Sequence, residues 1–263
     1  MQLTRALSLL LPLVATVSAS CIHGTTFHRR SSNVPVADYS FTGPTGPLKW
    51  ATLKPEYALC ATGKRQSPIN IDSTISVAQR TVVASFPNVA DAEFANLGNT
   101  LEVVVDGTTT FGQKAYTLKQ YHFHTPSEHR IAEEYYPLEL HMVHQAADES
   151  LLVIALMFEL TEDNSSFDLL TATVEDIETI AVPGTTTETG SLDFDELESI
   201  INTASFRTYV GSLTTPPCKQ GVRFLIKDGT LPINVATYKR IKSIIKFNAR
   251  YTQNALGQNN LLA

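Results

Sequence analysis

Residues 120–129 read QYHFHTPSEH, and residues 138–145 read LELHMVHQ. Successive side chains of a β-strand point to opposite faces, so His122 and His124 share one face if the first stretch is a strand. If the second stretch pairs with it in antiparallel fashion, His141 can face the same point. Three neutral imidazoles that leave a fourth position open are typical of a catalytic zinc site rather than a closed structural one.

Two polar neighbours favour this interpretation over an accidental His-x-His pair. Gln120 and Glu139 each lie two residues before a histidine and therefore on the same strand face. Each can accept the hydrogen bond that a metal-bound imidazole donates through its second nitrogen. His144 is an odd number of residues from His141 and should point away, and His129 lies in the turn. We interpret these last two histidines as structural.

The rest of the chain predicts one β-dominated domain with minor helices. A buried central strand is expected at 151–158, where the chain is apolar throughout, and residues 41–50 are expected to be ordered but irregular. The other predicted strands are 101–105, which Asp106-Gly107 should end, 116–124, 138–144 and 222–226. The predicted helices are 167–180, 194–201 and 235–247.

Composition and charge narrow the class of protein. The chain has 263 residues, of which 43% are hydrophobic and 17% charged, which argues against global disorder. It carries 20 basic and 26 acidic side chains, a net charge of −6, and no basic block. Nucleic acid is therefore an unsuitable partner, because phosphate binding requires clustered lysines and arginines.

The N-terminus predicts secretion. Arg5 precedes an apolar run from Ala6 to Val17, and small residues follow it, which is the pattern of a signal peptide over residues 1–19. The alternative is a buried N-terminal helix; the run is too short to span a membrane. No later run is long enough to do so, and no lipid-anchor tail is present. A secreted, extracellular protein without a membrane anchor is expected.

Three cysteines fit an oxidising compartment, where one disulfide is expected. We pair Cys60 with Cys218 by their positions, which leaves Cys21 near the mature N-terminus. Cys21 could stay free, could link two chains in a disulfide-bonded dimer, or could be lost with a propeptide cleaved after Arg29-Arg30. Asn164-Ser165-Ser166 is the only N-glycosylation sequon, and it lies in a polar stretch that reads as a loop.

Six motifs taken together resemble the α-class carbonic anhydrases. They occur in that family's order across most of residues 41–253, which makes a chance match negligible. The six are Gly46–Trp50 (GPLKW), Gln66–Ile71 (QSPINI), Gln120–His129 (QYHFHTPSEH), Glu139–His144 (ELHMVH), Gly211–Cys218 (GSLTTPPC) and Asn248–Arg250 (NAR).

The resemblance implies a fold and a division of the chain. The expected class is mainly β (α+β), a single domain around a large, twisted, mostly antiparallel sheet with a few peripheral short helices. Residues 39–255 would form the catalytic domain, after a flexible lead-in or propeptide at 20–38 and before a C-terminal tail at 256–263. Extracellular members join the equivalents of Cys60 and Cys218. Closing so long a loop would stabilise the fold by about 4–5 kcal/mol, an upper bound.

The resemblance also implies a reaction, the reversible hydration of CO2 to bicarbonate and a proton. Zn²⁺ held by His122, His124 and His141 would lower the pKa of its bound water to about 7, a value established for carbonic anhydrase itself and only applied to this chain. The resulting hydroxide would attack CO2. Thr214 would accept the hydroxide's hydrogen bond and donate its own to Glu128. Substrate would contact Thr215 and an apolar wall made of Val143, Val153, Leu213 and Val222.

Three positions depart from the family pattern. Asn99 stands where the fastest members carry a proton-shuttling histidine, and an amide cannot titrate near neutral pH. Phe41 replaces a common tyrosine of the water network. Phe224 replaces a common tryptophan, which should change the pocket shape slightly.

Two other functions remain open from the sequence. A catalytically silent carbonic anhydrase-like binding protein is one, although such relatives typically lose a ligand histidine and this chain keeps all three. A zinc esterase acting on small esters is the other, as a side reaction of the same site. The small, apolar pocket disfavours bulky substrates.

Overall fold

One large sheet of nine strands dominates the computed structural model, which describes residues 34–263. The predicted signal peptide, Cys21 and Arg29-Arg30 lie outside the described residues. The strands are β1 (Asn70–Ile71), β2 (Val82–Ser85), β3 (Glu93–Asn96), β4 (Leu101–Phe111), β5 (Lys114–His124), β6 (Arg130–Ile131), β7 (Leu138–Gln145), β8 (Leu151–Leu160), β9 (Thr186–Glu188), β10 (Phe206–Ser212) and β11 (Gln220–Ile233). The α-helices are α1 (Trp50–Leu53), α2 (Leu59–Thr62), α3 (Asp168–Thr173), α4 (Asp195–Thr203) and α5 (Val235–Ile245).

The sheet confirms the expected fold class. Its strand order is β10-β11-β8-β7-β5-β4-β3-β9, with β2 also paired to β4. Every pair in this sheet is antiparallel except β11 with β8. A separate two-stranded sheet pairs β1 with β6 in parallel. The short helices lie before the first strand (α1 and α2), between strands (α3 and α4) or after the last strand (α5).

The two faces of the sheet pack against two different apolar clusters. On β8, Leu152, Ile154 and Leu156 belong to the main apolar core, whereas the alternate residues Val153 and Ala155 belong to a second, smaller cluster. The predicted apolar strand is thus buried on both faces. Because His122 and His141 lie on the same face as the smaller cluster, that face carries the candidate site.

Two predicted strand ends are wrong. Asp106-Gly107 does not end β4, because a bulge between Val104 and Gly107 shifts the register and the strand continues to Phe111. Gly107 serves close packing, since a Cβ there would lie 2.5 Å from Phe86 Cδ1. The strand predicted at 222–226 is also longer, as β11 runs through a second bulge between Ile226 and Thr230.

Two of the three predicted helices are present, and the third is interrupted. Those at 194–201 and 235–247 are confirmed as α4 and α5, and the Asn234 side chain caps α5 by accepting from Thr237 N at 2.8 Å. The helix predicted over 167–180 is interrupted: α3 ends at Thr173, and a 3-10 turn follows at Ile177–Ile180. Thr173 and the next residue, Val174, are β-branched, which weakens a helix at this point.

A disulfide joins Cys60 to Cys218, as predicted, across a sequence separation of 158 residues. Both cysteines are buried beside Trp50. Arg250, 1% exposed, donates to the carbonyl oxygens of Cys60 (3.0 Å) and Ser67 (2.8 Å). These contacts fix the segment after β10, which carries Cys218, against the N-terminal part of the domain.

Both ends of the described chain are tied to the domain. Val34 N donates to Gly184 O at 2.9 Å, so the last part of the predicted lead-in is hydrogen-bonded. In the predicted tail, the Asn260 side chain donates to Gly63 O at 3.0 Å.

Candidate functional site

Three histidines converge where β5 and β7 pair. His122 lies directly opposite His141 in the register, and His124 follows two residues later on the same face. The ring centroids are 5.0 Å (His122–His124), 5.3 Å (His122–His141) and 4.7 Å (His124–His141) apart. One nitrogen from each ring lies within 4.8 Å of the others, and all three side chains are buried.

The outward nitrogen of each ring has a hydrogen-bond acceptor. His122 Nδ1 donates to Gln120 Oε1 at 2.8 Å, and His141 Nε2 donates to Glu139 Oε1 at 2.6 Å, so both predicted partners are in place. His124 Nδ1 donates to the backbone oxygen of Asn248 at 2.8 Å. These acceptors select the tautomers that leave His122 Nε2, His124 Nε2 and His141 Nδ1 as electron-pair donors toward the shared space.

The site's electrostatics suit a metal ion. Burial lowers the pKa of all three rings, that of His122 well below its usual value and that of His124 to about 4. The rings are therefore neutral at physiological pH, which is the state that binds a metal. His122 Nε2 and His124 Nε2 are buried without a hydrogen-bond partner among the described residues, a cost that a bound cation would remove. The donor set fits Zn²⁺ with one position left open.

Glu139 is the centre of a second layer of contacts. Its Oε2 accepts from the backbone N–H groups of Glu128 (2.7 Å) and His129 (2.8 Å). Its Oε1 accepts from His129 Nδ1 and His141 Nε2, both at 2.6 Å. Burial alone would raise the pKa of Glu139, but His129 and His141 outweigh it and hold that pKa well below the usual value. His129, Glu139 and His141 also form a possible ligand group by distance, yet these hydrogen bonds already occupy the carboxylate.

The two histidines interpreted as structural are both fully buried and hydrogen-bonded. His129 contacts the Tyr209 hydroxyl through Nε2 at 2.6 Å, and Tyr209 continues to Ser67 Oγ at 2.8 Å. His144 lies on the opposite sheet face, where its Nε2 is 2.9 Å from Thr109 Oγ1 and its Nδ1 donates to Met142 O at 3.0 Å. The prediction that His144 points to the face opposite His141 is thus confirmed.

Glu128 and Thr214 lie beside the histidine cluster. Glu128 Oε1 accepts from Arg250 N at 2.9 Å, and its Oε2 is 3.4 Å from His124 Nε2. Burial raises the pKa of Glu128 to about 7, although the neighbouring Thr214 hydroxyl is among the groups that lower it. Thr214 Oγ1 is buried and has no well-formed hydrogen bond among the described residues. Its hydroxyl therefore keeps hydrogen-bonding capacity in a buried position beside Glu128.

An apolar wall completes the cluster. Val143, Val153, Leu213 and Val222, the four positions proposed for substrate, all belong to the smaller core cluster on this face. Thr215, two residues after Leu213, is also buried, and its carbonyl oxygen accepts from Cys218 N at 2.9 Å. Phe224 stacks on Tyr209 with ring centroids 5.0 Å apart and meets His141 edge-on at 6.0 Å.

The other two departures from the family pattern also lie at this site. Asn99 is 7% exposed, and its backbone oxygen accepts from Asn248 Nδ2 at 3.0 Å. Phe41 presents its ring to His124 at a centroid distance of 6.4 Å and packs on Trp50. A phenyl ring cannot donate the hydrogen bond that a tyrosine would supply at this position.

Sequence reasoning missed Glu102. This residue lies directly opposite His122 in the β4–β5 register and hence on the same face. Its side chain is 3% exposed, and Oε2 has no hydrogen-bond partner among the described residues. Burial, with a smaller contribution from Glu93, raises the pKa of Glu102 to about 8. The only sign of this buried carboxyl in the sequence was a single charged residue between the apolar residues Leu101 and Val103.

Glu102 should make the metal-free protein less stable as the pH rises. The unfolded carboxyl titrates near 4.5 and the folded one near 8, so between these values the unfolded chain loses a proton that the folded chain keeps. The free energy of unfolding therefore falls by about 1.4 kcal/mol per pH unit from this group, a few kcal/mol in total. Glu102→Gln should remove this contribution to the pH dependence of the free energy of unfolding, measured by urea unfolding at pH 5 to 9. Exposed Glu196→Gln is the control, and an unchanged slope in Glu102→Gln would contradict the assignment.

No helix in the described part of the chain combines the length and the apolar content that crossing a bilayer requires.

A family model described as eukaryotic-type carbonic anhydrase matches residues 45–261. A carbonic anhydrase of Pectobacterium carotovorum is 31% identical, over 79% of this chain and 83% of its own length. Alpha carbonic anhydrase 6 of Arabidopsis thaliana is 32% identical, over 82% of each chain. The fungal α-carbonic anhydrase structure from Aspergillus oryzae is 43% identical with a TM-score of 0.83, covering 86% of this chain and 97% of its own. The fold, the histidine cluster and these matches agree, and this chain belongs to the α-carbonic anhydrase family.

Proposed function

We propose that this protein hydrates CO2 reversibly to bicarbonate and a proton, with Zn²⁺ held by His122, His124 and His141. The observation that carries the proposal is the convergence of three neutral, buried imidazoles whose inward nitrogens lie within 4.8 Å of one another. When bound, Zn²⁺ supplies a water that ionises near neutral pH, the property for which carbonic anhydrase is the standard example. Gln120, Glu139 and the Asn248 carbonyl hold the rings in position.

Thr214 and Glu128 orient the reaction in this proposal. The Arg250 N–H fixes one oxygen of Glu128, which leaves the other to accept a hydrogen bond from the Thr214 hydroxyl. A hydroxyl that donates in one direction can accept only from the other, so Thr214 Oγ1 offers a lone pair toward the open corner of the histidine cluster. This arrangement positions the reacting groups without changing their chemistry.

The apolar wall suits a substrate without net charge. Val143, Val153, Leu213 and Val222 offer CO2 a dry surface with no hydrogen-bonding groups, whereas bicarbonate, the charged product, is held less well there. Thr215 is the polar residue that would contact bicarbonate. This division between an apolar wall and one hydroxyl favours CO2 over larger or more polar substrates.

Asn99 should make proton release slow and dependent on buffer. Asn99→His is expected to raise turnover in weak buffer, by up to about tenfold, because an imidazole titrates near neutral pH and an amide does not. In strong buffer the two proteins should differ little, since buffer then carries the proton. Asn99→Gln is the matched control. Turnover in weak buffer that stays unchanged in Asn99→His would contradict this role, as would an equal gain in Asn99→Gln.

The proposal extends to the protein's location and processing. A signal peptide at residues 1–19 would direct secretion, which agrees with the Cys60–Cys218 disulfide. Asn164 lies exposed in the loop after β8, where an oligosaccharyltransferase could reach it. Residues 39–255 would be the catalytic domain, with 20–38 as lead-in or propeptide and 256–263 as tail. Cys21, outside the described residues, would be available for a disulfide-linked dimer.

Metal removal tests the function directly. The purified protein should contain about one zinc per chain and hydrate CO2, dialysis against a chelator should abolish both, and added Zn²⁺ should restore both. Protein that contains zinc but stays inactive would favour the catalytically silent binding protein. Hydrolysis of a small ester without CO2 hydration would favour the esterase.

A further inference from the structure

A second cavity lies apart from the histidine cluster. Its volume is about 260 Å³, and none of its lining residues belongs to the three histidines or their hydrogen-bond partners. The floor is formed by Met157 and Ile226, both buried, and Ile71 and Ile131 of the small two-stranded sheet form the opposite wall. The cavity is thus a gap between the two sheets with an apolar interior.

The β11 bulge explains why this gap exists. β11 pairs with β8 up to Ile226, opposite Ala155, and resumes at Thr230, opposite Met157. The intervening segment, residues 227–229, therefore has a single β8 residue opposite it and departs from the regular pairing with β8. Gly229 has a φ of +75°, which glycine adopts without strain. The cavity is built into the fold by this insertion.

The mouth of the cavity carries a fixed cation. Arg207 lies opposite Ile226 on β10 and so faces the same side. Its Nη1 donates to Ile75 O at 3.1 Å, and its Nε is 3.5 Å from Asp228 Oδ1. Nη2 has no hydrogen-bond partner among residues 34–263. The guanidinium is thus held at two points with one edge available.

The other charges at the mouth are engaged in part. Asp72 Oδ1 accepts from Thr74 N and Oγ1 at 2.8 and 2.6 Å, so one oxygen of this carboxylate is hydrogen-bonded within its own turn. Lys227 adds a second cation whose Nζ donates to the backbone oxygen of Asp228 at 2.8 Å. The mouth therefore carries two cations, Arg207 and Lys227, beside two carboxylates, and the guanidinium edge of Arg207 is a donor that a ligand can still reach.

We propose that this cavity binds a small organic monocarboxylate with a compact apolar body. The body would fill the gap over Met157 and Ile226, and the carboxylate would accept from Arg207, a geometry that arginine suits better than lysine. Asp228 competes for the same guanidinium, so its charge should weaken binding. A volume near the lower end of the usual range for ligand sites limits the body to about the size of one aromatic ring.

The probe is 4-fluorobenzoate, titrated into the zinc-loaded full chain and followed by fluorine NMR. We expect saturable binding near 1 mM, and binding at least about tenfold weaker for the neutral analogue 4-fluorobenzyl alcohol. Arg207→Gln should weaken binding about tenfold, Asp228→Asn should tighten it, and Arg65→Gln, an exposed arginine elsewhere, should leave it unchanged. Arg207→Gln should leave CO2 hydration unchanged, since Arg207 contacts no residue of the histidine cluster.

Four results would overturn the proposal. These are no saturable binding up to about 10 mM, equal binding of acid and alcohol, an equal loss in Arg65→Gln, and loss of binding in His141→Gln, which would place the probe at the histidine cluster instead. Should Arg207→Gln fail to fold, Asp228→Asn carries the test: removing the competing carboxylate should tighten binding at this mouth, and unchanged or weaker binding would contradict the proposal.

Discussion

His141→Gln is expected to empty the metal site and to lower CO2 hydration at least about 10³-fold. Loss of a single outer partner of a metal-bound histidine typically costs 10- to 100-fold in affinity or activity, and a ligand should cost more. Glutamine approximates the length of histidine but offers no imidazole nitrogen to the shared space. It would also leave the buried Glu139 carboxylate without one of its two ring partners.

The control for this prediction is on the same strand. His144→Gln changes the same residue type three positions later, on the opposite sheet face, where His144 contacts Thr109 and Met142. It should lower the melting temperature but keep about one zinc per chain and near-normal turnover. Zinc content and stopped-flow CO2 hydration measure both variants. Zinc retained in His141→Gln, or lost equally in His144→Gln, would remove the basis for the proposed function.

Strand periodicity predicted the centre of this site because ligand geometry there follows from local rules. His122, His124 and His141 share a face by alternation and pair by antiparallel register, and their partners Gln120 and Glu139 lie two residues away. The same alternation correctly predicted that His144 points to the opposite face of the sheet. Each of these inferences needs only the chain direction and a period of two.

Contacts between residues far apart in the sequence could not be predicted in this way. The Asn248 carbonyl oxygen that holds His124 is 124 residues away along the chain, and any residue type would supply it. Tyr209 reaches His129 from β10, a strand that the pattern did not indicate. Such partners depend on the assembled sheet, so periodicity alone carries no signal for them.

Bulges were the second limit of the sequence. Asp106-Gly107 reads as a turn, yet β4 continues through it because the sheet absorbs the extra residue and Gly107 packs against Phe86. β11 likewise continues through its bulge beyond the predicted end at residue 226, and the residues of that bulge line the cavity beside Arg207. Local turn preferences were outweighed in both cases by pairing with neighbouring strands.

Thr214→Val is expected to lower kcat/KM for CO2 by about 10²- to 10³-fold, a magnitude typical of losing one positioned hydrogen-bonding group. Valine matches threonine in shape but can neither donate to Glu128 nor accept from the open corner. The Glu128 carboxyl, 0% exposed with a pKa of about 7, would lose a neighbour that lowers this pKa. The pKa should therefore rise, and the carboxyl should stay protonated to higher pH.

The serine variant separates chemistry from packing. Thr214→Ser keeps the hydroxyl and loses only a methyl group, so it should retain most of the activity. The loop itself should persist in both variants, because the Cys60–Cys218 disulfide and the hydrogen bond from Leu213 N to Lys219 O at 2.9 Å hold it. Zinc content and melting temperature should thus change little in either variant, whereas turnover should be much lower in Thr214→Val than in Thr214→Ser. Activity of Thr214→Val within about threefold of the wild type would show that the hydroxyl does not orient the reaction. A larger loss in Thr214→Ser than in Thr214→Val would assign the effect to packing of the threonine methyl group against the apolar wall.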